Sequence, residues 1–251
     1  MVFESYFPIH HNFGNNTLGH DYFVGDIHGK YNLLLRTLKL INFNFNNDRL
    51  FSVGDTIDRG EDSLKCLSLA KHPWFIPVIG NHEIFLLECE ENQYKKQIWY
   101  KNGGSWWEHL NINEKLLAKE IILKNFYLTI SVDTMFGKIG IAHAEYPLLK
   151  WPISDNNINS ETVNSLLWGR KVIHNDSKNF VDGIDMIVSG HTPIPTPIMQ
   201  GNHLFIDTGC GHNPSNYIPN PKLTMAEFTK DKIIFFHVSD KSFEKSELNV
   251  R

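Results

Sequence analysis

An α/β fold follows from three features of the chain: a strand–turn–helix unit that occurs three times in succession, a helical middle, and a last third of short strands. In the first unit, "YFVGDIHGK" is a strand from Tyr22 to Val24 running into a turn, and the helix behind it sets Leu33, Leu34, Leu38 and Ile41 roughly on one face. The second unit pairs the strand in "RLFSVGD" with a helix over "DSLKCLSLA". The third runs Phe75 to Ile79, breaks at Gly80, and continues as the helix "EIFLLECEE". Such alternation predicts a largely parallel sheet. From Glu88 to about Asn125 the chain reads as mostly helical, rich in charge, and includes "NGGSWW". After it, "FYLTISV", "KIGIAHA", "DMIVSGHT", "HLFIDTG" and "KIIFFHV" read as strands of a second, more mixed sheet packed on the first. "HTPIPTPIM" carries three prolines and reads as a fixed loop, not a strand. No shift in composition demands a linker, so the expectation is one domain over 1–251 with a helical insertion at roughly 88–125.

The 251 residues can bury a full core, and a 41% hydrophobic, 21% charged composition is that of an ordinary globular protein. A net charge of −4 offers no basic field for nucleic acid or an anionic membrane. No apolar run approaches the ~18 residues of a membrane span, and "MVFESYFPIHH" lacks the regions of a signal peptide. Cys66, Cys89 and Cys210 are odd in number and widely spaced, which argues for buried small hydrophobes in a reducing, cytoplasmic compartment.

Each candidate strand ends in the same kind of chemistry. The first delivers Asp26 and His28 in "GDIHG"; the second Asp55, Asp58 and Arg59 in "GDTIDRG"; the third Asn81, His82 and Glu83 in "GNHE". Later strands deliver His143 in "IAHA" and His191 in "SGHT". Ligands of open α/β sheets bind at the carboxyl ends of strands, and Asp, His and Asn converging there suit divalent metals such as Mn, Fe or Zn. Asp55, with two oxygens, can bridge a pair of cations about 3.5–4 Å apart, the clamp of phosphate-ester hydrolysis. Arg59 adds a planar fork for two phosphate oxygens, and Asp58 can hold the tautomer and orientation of His82.

In this order the five blocks resemble the motif set of the metal-dependent phosphoprotein phosphatases, in particular their small bacterial and phage branch. The resemblance extends to "HAEYP", "LLWGR", "SGHTP", "FIDTG" and the Asn-Gly-Gly segment, and covers most of the chain from Tyr22 to Gly209. It implies a calcineurin-like metallophosphoesterase fold, a two-sheet β-sandwich flanked by helices. It implies two divalent cations, usually Mn2+ in assays, with Fe, Zn or Ni also compatible: one held by Asp26, His28 and Asp55, the other by Asp55, Asn81, His143 and His191. It implies that His82, paired with Asp58, is the general acid and that Arg59 and Arg170 hold the phosphate. The expected reaction is hydrolysis of phosphoserine or phosphothreonine, and by extension phosphotyrosine, in a protein or peptide by direct attack of metal-bound hydroxide. The alternative on the same scaffold is a symmetrical dinucleoside polyphosphate hydrolase; relatives of that kind often lose the Asp-Arg of the second block and the Glu after GNH, and this chain keeps Arg59 and Glu83.

Two regions depart from the pattern. The N-terminus runs longer and carries His10, His11 and His20, which read as surface histidines. "CGHNPSNYIPNPKL", 210–223, is a long loop expected near the rim of the site. Trp99, Trp106 and Trp107 read as a small satellite core, "ECEEN" as a solvated helix face, and Glu145 either as support behind His143 or as a solvent-facing acid.

Overall fold

The computed structural model describes residues 8–174 and 180–250. Its strands are β1 (His10–Phe13), β2 (Asp21–Val24), β3 (Arg49–Ser52), β4 (Phe75–Pro77), β5 (Thr129–Asp133), β6 (Lys138–Ile141), β7 (Met186–Ser189), β8 (Ile198–Gln200), β9 (His203–Phe205), β10 (Leu223–Phe228), β11 (Lys232–Val238) and β12 (Phe243–Asn249). Its helices are α1 (Tyr31–Leu40), α2 (Ser63–Leu69), α3 (Asn81–Glu88), α4 (Gln93–Lys101), α5 (Ile112–Asn125), α6 (Ser160–Trp168) and α7 (Lys171–His174), with a 3-10 turn over Gly104–His109.

Two six-stranded sheets face each other. One has the order β12-β11-β10-β2-β3-β4 and the other β1-β5-β6-β7-β9-β8. Between them lies an apolar layer built by the period-two alternation of the strands. Phe23, Phe51, Ile130, Val132, Ile139, Ile141, Met186 and Val188 point into it, while Tyr22, Val24 and Leu50 point outward to a second core under the helices. Phe23 stacks on Phe51 at 5.4 Å, joining β2 to β3 inside the layer.

The parallel expectation holds for only part of the first sheet. β2, β3 and β4 are parallel, as the three strand–turn–helix units require. The free edge of β2 is instead covered by β10, antiparallel, and β11 and β12 continue that hairpin outward. "KIIFFHV", expected in the second sheet, therefore completes the first: the long loop after β9 brings the chain to the exposed β2 edge, and backbone hydrogen bonds are satisfied there. The end of "HTPIPTPIM" is also not loop. Beyond Pro197 the donors return, and Ile198–Gln200 forms the antiparallel edge strand β8 against β9, a position where nearby prolines are tolerated. The N-terminal segment closes the other edge as β1, parallel to β5. His10 is accordingly not a stray surface residue: its ring bonds Thr129 Oγ1 at 3.0 Å and lies edge-on to Trp151 at 5.6 Å.

Candidate active site

Every anticipated side chain comes to one end of the sandwich, from both sheets. Asp26 and His28 follow β2; Asp55, Asp58 and Arg59 follow β3; Asn81 and His82 form the first turn of α3, just past β4. His143 follows β6, His191 follows β7, and Arg170 sits between α6 and α7. All but the two arginines are buried. The β3 turn approaches its neighbours closely: a Cβ on Gly54, at φ +98°, would lie 2.8 Å from Gly80 N and 2.9 Å from His143 Nδ1. Glu83 locks that approach. Its carboxylate accepts from the backbone N–H of Asp55 (3.0 Å), Thr56 (2.8 Å) and Gly80 (2.9 Å) and from the Thr56 hydroxyl (2.8 Å). Asp55 Oδ1 in turn accepts the N–H of His82 at 3.0 Å, capping α3.

Backbone carbonyls set the histidine tautomers. His143 Nδ1 donates to Val53 O at 2.8 Å, so its Nε2 is a bare lone pair. That lone pair faces Asn81 Oδ1 at 2.9 Å and Asp55 Oδ1 at 3.4 Å. Three acceptors turned toward one another repel unless a cation lies among them. His191 Nδ1, 2.8 Å from Asn81 Oδ1, joins the same group. A second cluster has the same logic. His28 Nδ1 donates to Ile57 O at 2.9 Å, and its Nε2 stands 3.9 Å from both Asp26 Oδ2 and Asp55 Oδ2. A cation about 2.1 Å from each ligand can bridge such gaps. The donor set therefore fits two divalent ions that share Asp55, and its mixture of carboxylate, imidazole and amide suits a first-row metal.

His82 lies near the second cluster, within metal-binding reach of His28 and Asp55, but its Nδ1 is taken by Asp58 Oδ2 at 2.5 Å. The electrostatics divide the four histidines the same way. Burial pushes His28, His143 and His191 below the ordinary imidazole range, His191 to about 3. For His82 burial also works against the proton, but the carboxylates of Asp55 and Asp58 outweigh it and its pKa rises. Asp55 itself is opposed by burial yet held well below the carboxylate range by the surrounding imidazoles, His143 foremost. Burial and the neighbouring carboxyls of Asp207 and Asp55 push Asp26 up.

Arg59 lays its guanidinium against His28, with Nη2 3.4 Å from His82 Nε2. Arg170 is exposed at the rim, its Nε donating to Thr192 Oγ1 at 3.3 Å beside His191. Glu145 is not a solvent-facing acid, and the support it gives goes to the Arg170 turn instead of His143. The side chain is buried, and its Oε2 accepts the N–H of Val172 at 2.8 Å, holding the turn that carries Arg170.

Sequence reasoning missed several neighbours. Asp207, in the "FIDTG" strand end, is a further buried carboxyl whose Oδ2 has no partner among the described residues; burial raises its pKa to about 7. Its place at a strand end was the available signal. His212 sets its ring 5.9 Å from His28 and comes from the 210–223 loop, which does reach the rim. The tryptophans are not a satellite core: Trp99 Nε1 and Trp106 Nε1 donate to Asp58 at 2.5 and 2.6 Å. Nothing in the spacing of "NGGSWW" announces that contact.

The calcineurin-like phosphoesterase family profile matches residues 22–205, the span that supplies all of these side chains except Asp207 and His212. The chain is 37% identical over 203 residues to serine/threonine-protein phosphatase 2 of Salmonella typhimurium, covering 78% of this chain and 91% of that one. It is 36% identical over 195 residues to the Escherichia coli protein of the same name, covering 76% and 87%. A symmetrical bis(5'-nucleosyl)-tetraphosphatase of Wigglesworthia glossinidia brevipalpis is 39% identical over 145 residues, 57% of this chain and 50% of its own length. Two solved structures share the fold. One, described provisionally as a diadenosine tetraphosphatase, has a TM-score of 0.62 at 18% identity over 91% of this chain and 98% of its own. The other, a protein serine/threonine phosphatase of Saccharomyces cerevisiae, has a TM-score of 0.54 at 14% identity, over 98% and 85%. With the two-sheet sandwich, the strand-end carboxylates and imidazoles, and this match over most of its length, the chain belongs to the calcineurin-like phosphoesterases.

Proposed function

We propose that the protein is a metal-dependent phosphatase of phosphoserine and phosphothreonine in proteins or peptides. The observation that carries this reading is the Asp58–His82 pair, closed at 2.5 Å beside Arg59 and both cation clusters. Three relatives matched over most of their own length are named protein phosphatases, whereas the match to the Wigglesworthia tetraphosphatase spans half of that protein.

In this reading Asp26, His28 and Asp55 would hold one divalent ion, and Asp55, Asn81, His143 and His191 the other; Mn2+ is the ion the family resemblance implies, and the mixed oxygen and nitrogen donors equally accept Fe or Zn. When bound, the pair supplies an activated water and neutralises charge on the phosphoryl oxygens. The chain's own residues do the rest. Arg59 and Arg170 grip the phosphoryl oxygens and orient the ester in line. His82, with Nδ1 tied to Asp58, presents Nε2 as the acid that protonates the departing seryl or threonyl oxygen, a poor leaving group without it. The shared core of the two sheets supports a single domain with the 88–125 helices as an insertion. The free, buried state of Cys66, Cys89 and Cys210 supports a reducing, cytoplasmic setting. No helix of the described residues is long and apolar enough to cross a membrane.

The test offers metal-stripped protein, refilled with manganese, a phosphothreonine peptide and diadenosine tetraphosphate in parallel. Phosphate release from the peptide, dependent on manganese and cut by about 10²–10⁴ in His82→Asn, is expected. Cleavage of the dinucleotide alone would overturn the protein-phosphatase reading while leaving the site intact.

A further inference from the structure

Asp58 is wholly buried, so its carboxylate needs full hydrogen bonding to stay charged. Besides His82, two donors supply it. Trp99 Nε1, from α4, meets Oδ2 at 2.5 Å, and Trp106 Nε1, from the 3-10 turn, meets Oδ1 at 2.6 Å. Asp58 N–H is itself anchored on Ser63 Oγ at 2.9 Å. An indole N–H donates and never accepts. Each indole therefore holds one Asp58 oxygen in place as its acceptor. With both Asp58 oxygens held by indoles, the carboxylate cannot turn, and the imidazole bonded to it is fixed with Nε2 toward Asp55.

The rest of "NGGSWW" serves the same contact. A Cβ on Gly104 would fall 2.3 Å from Trp99 Cε2, so glycine lets the indole lie flat against the backbone. Gly103, at φ +105°, accepts the Arg59 N–H on its carbonyl at 3.3 Å. Trp107 wedges behind, 5.9 Å from each of the other two rings, and bonds nothing on Asp58. The helical segment thus grips the Asp58–Arg59 turn from outside the sheets.

We propose that Trp99 and Trp106 are positioning residues for proton delivery to the leaving group, acting through Asp58 on His82. The inference rests on the reading of His82 as the acid. It predicts a loss that depends on how much the leaving oxygen needs a proton: large for an alkyl ester, small for an aryl ester.

The experiment compares Trp106→Phe, Trp99→Phe and Trp107→Phe in manganese-loaded enzyme with three substrates: a phosphothreonine peptide, glycerol 2-phosphate and p-nitrophenyl phosphate. Removing one charge-assisted hydrogen bond is expected to cut kcat on the alkyl esters by roughly 10–100-fold, with KM unchanged. On the aryl ester the loss is expected to stay within about threefold, and Trp107→Phe is expected to leave the alkyl-to-aryl ratio as in wild type. In a His82→Asn background, Trp106→Phe is expected to add nothing further. In metal-free protein, two indole N–H proton resonances are expected far downfield, and both should move in Asp58→Asn. Equal losses on alkyl and aryl esters, the same ratio change in Trp107→Phe, or indole resonances indifferent to Asp58→Asn would overturn the inference. Wild-type enzyme that cleaves glycerol 2-phosphate and p-nitrophenyl phosphate but not the peptide would sink the protein-phosphatase reading alone, with the tryptophan comparison still read from the two small esters.

Discussion

His28, Asp55, Asp58, Arg59 and His191 hold φ between +47° and +75°, and with Asn42 they make up the non-glycine left-handed positions of the described chain. The left-handed well costs an L-residue roughly 1–2 kcal/mol, so the site stores strain at five side chains that it cannot exchange for glycine without losing their chemistry. This gives a prediction at Arg59, φ +65°. Both Arg59→Gly and Arg59→Ala remove the guanidinium, but only glycine relieves the backbone. Arg59→Gly should be the more stable of the two by about 1 kcal/mol by denaturant unfolding, reversing the order found at ordinary positions. If the alanine variant is equally or more stable, the backbone there is not strained in solution.

At the scale of elements, β9 carries a buried histidine outside the site. His203 stacks on Phe205, and burial lowers its pKa to about 4 from an ordinary 6.5. A lowered imidazole pKa means that the unfolded chain takes up the proton first. The associated stability is intact above pH 6.5, drains as pH falls toward 4, and amounts to about 3 kcal/mol over that window. His203→Phe should therefore flatten the decline of unfolding free energy between pH 6.5 and 4.5, whereas a slope unchanged from wild type would place the responsible proton elsewhere. The helices meet their own constraint at α3, whose first turn holds Asn81 and His82 only because Glu83 ties three backbone N–H groups of the two adjoining turns.

For the whole molecule, the site is a seam. Asp26, His28, Asp55 and Asn81 come from the β2–β3–β4 side, and His143 and His191 from the β6–β7 side. Ions bound there would clamp one sheet to the other, and binding to the folded state alone adds RT ln(1 + [L]/Kd), about 2.7 kcal/mol at a hundredfold excess over Kd. Manganese added to stripped protein should raise Tm by roughly 5–10 °C, chelator should reverse the gain, and Asp55→Asn should abolish most of it. A Tm that ignores manganese in wild-type protein would argue that the acceptors are satisfied in some other way.

The sequence by itself determined what short-range physics controls. Three strand–turn–helix units, glycines at the turns, and the pairing of Asp, His and Asn with strand ends are contained in windows of about ten residues, and the ligand candidates Asp26 to His191 could be picked out there. The convergence of Asp26, His28, Asp55 and Asn81 was legible because parallel strands of one sheet all end on the same side; the arrival of His143 and His191 from the second sheet was decided by how the two sheets pack. What the tertiary structure decided depends on contacts between distant segments, whose energies no local window contains. β10 pairs with β2 across some two hundred residues, so the sheet is mixed and the final strands join the first sheet. Trp99 reaches Asp58 across 41 positions, and Glu145, from the loop after β6, reaches forward to the turn that carries Arg170. Such donors and acceptors are chosen by the need to satisfy a buried charge wherever the packed chain leaves it, and only the packed chain shows where that is.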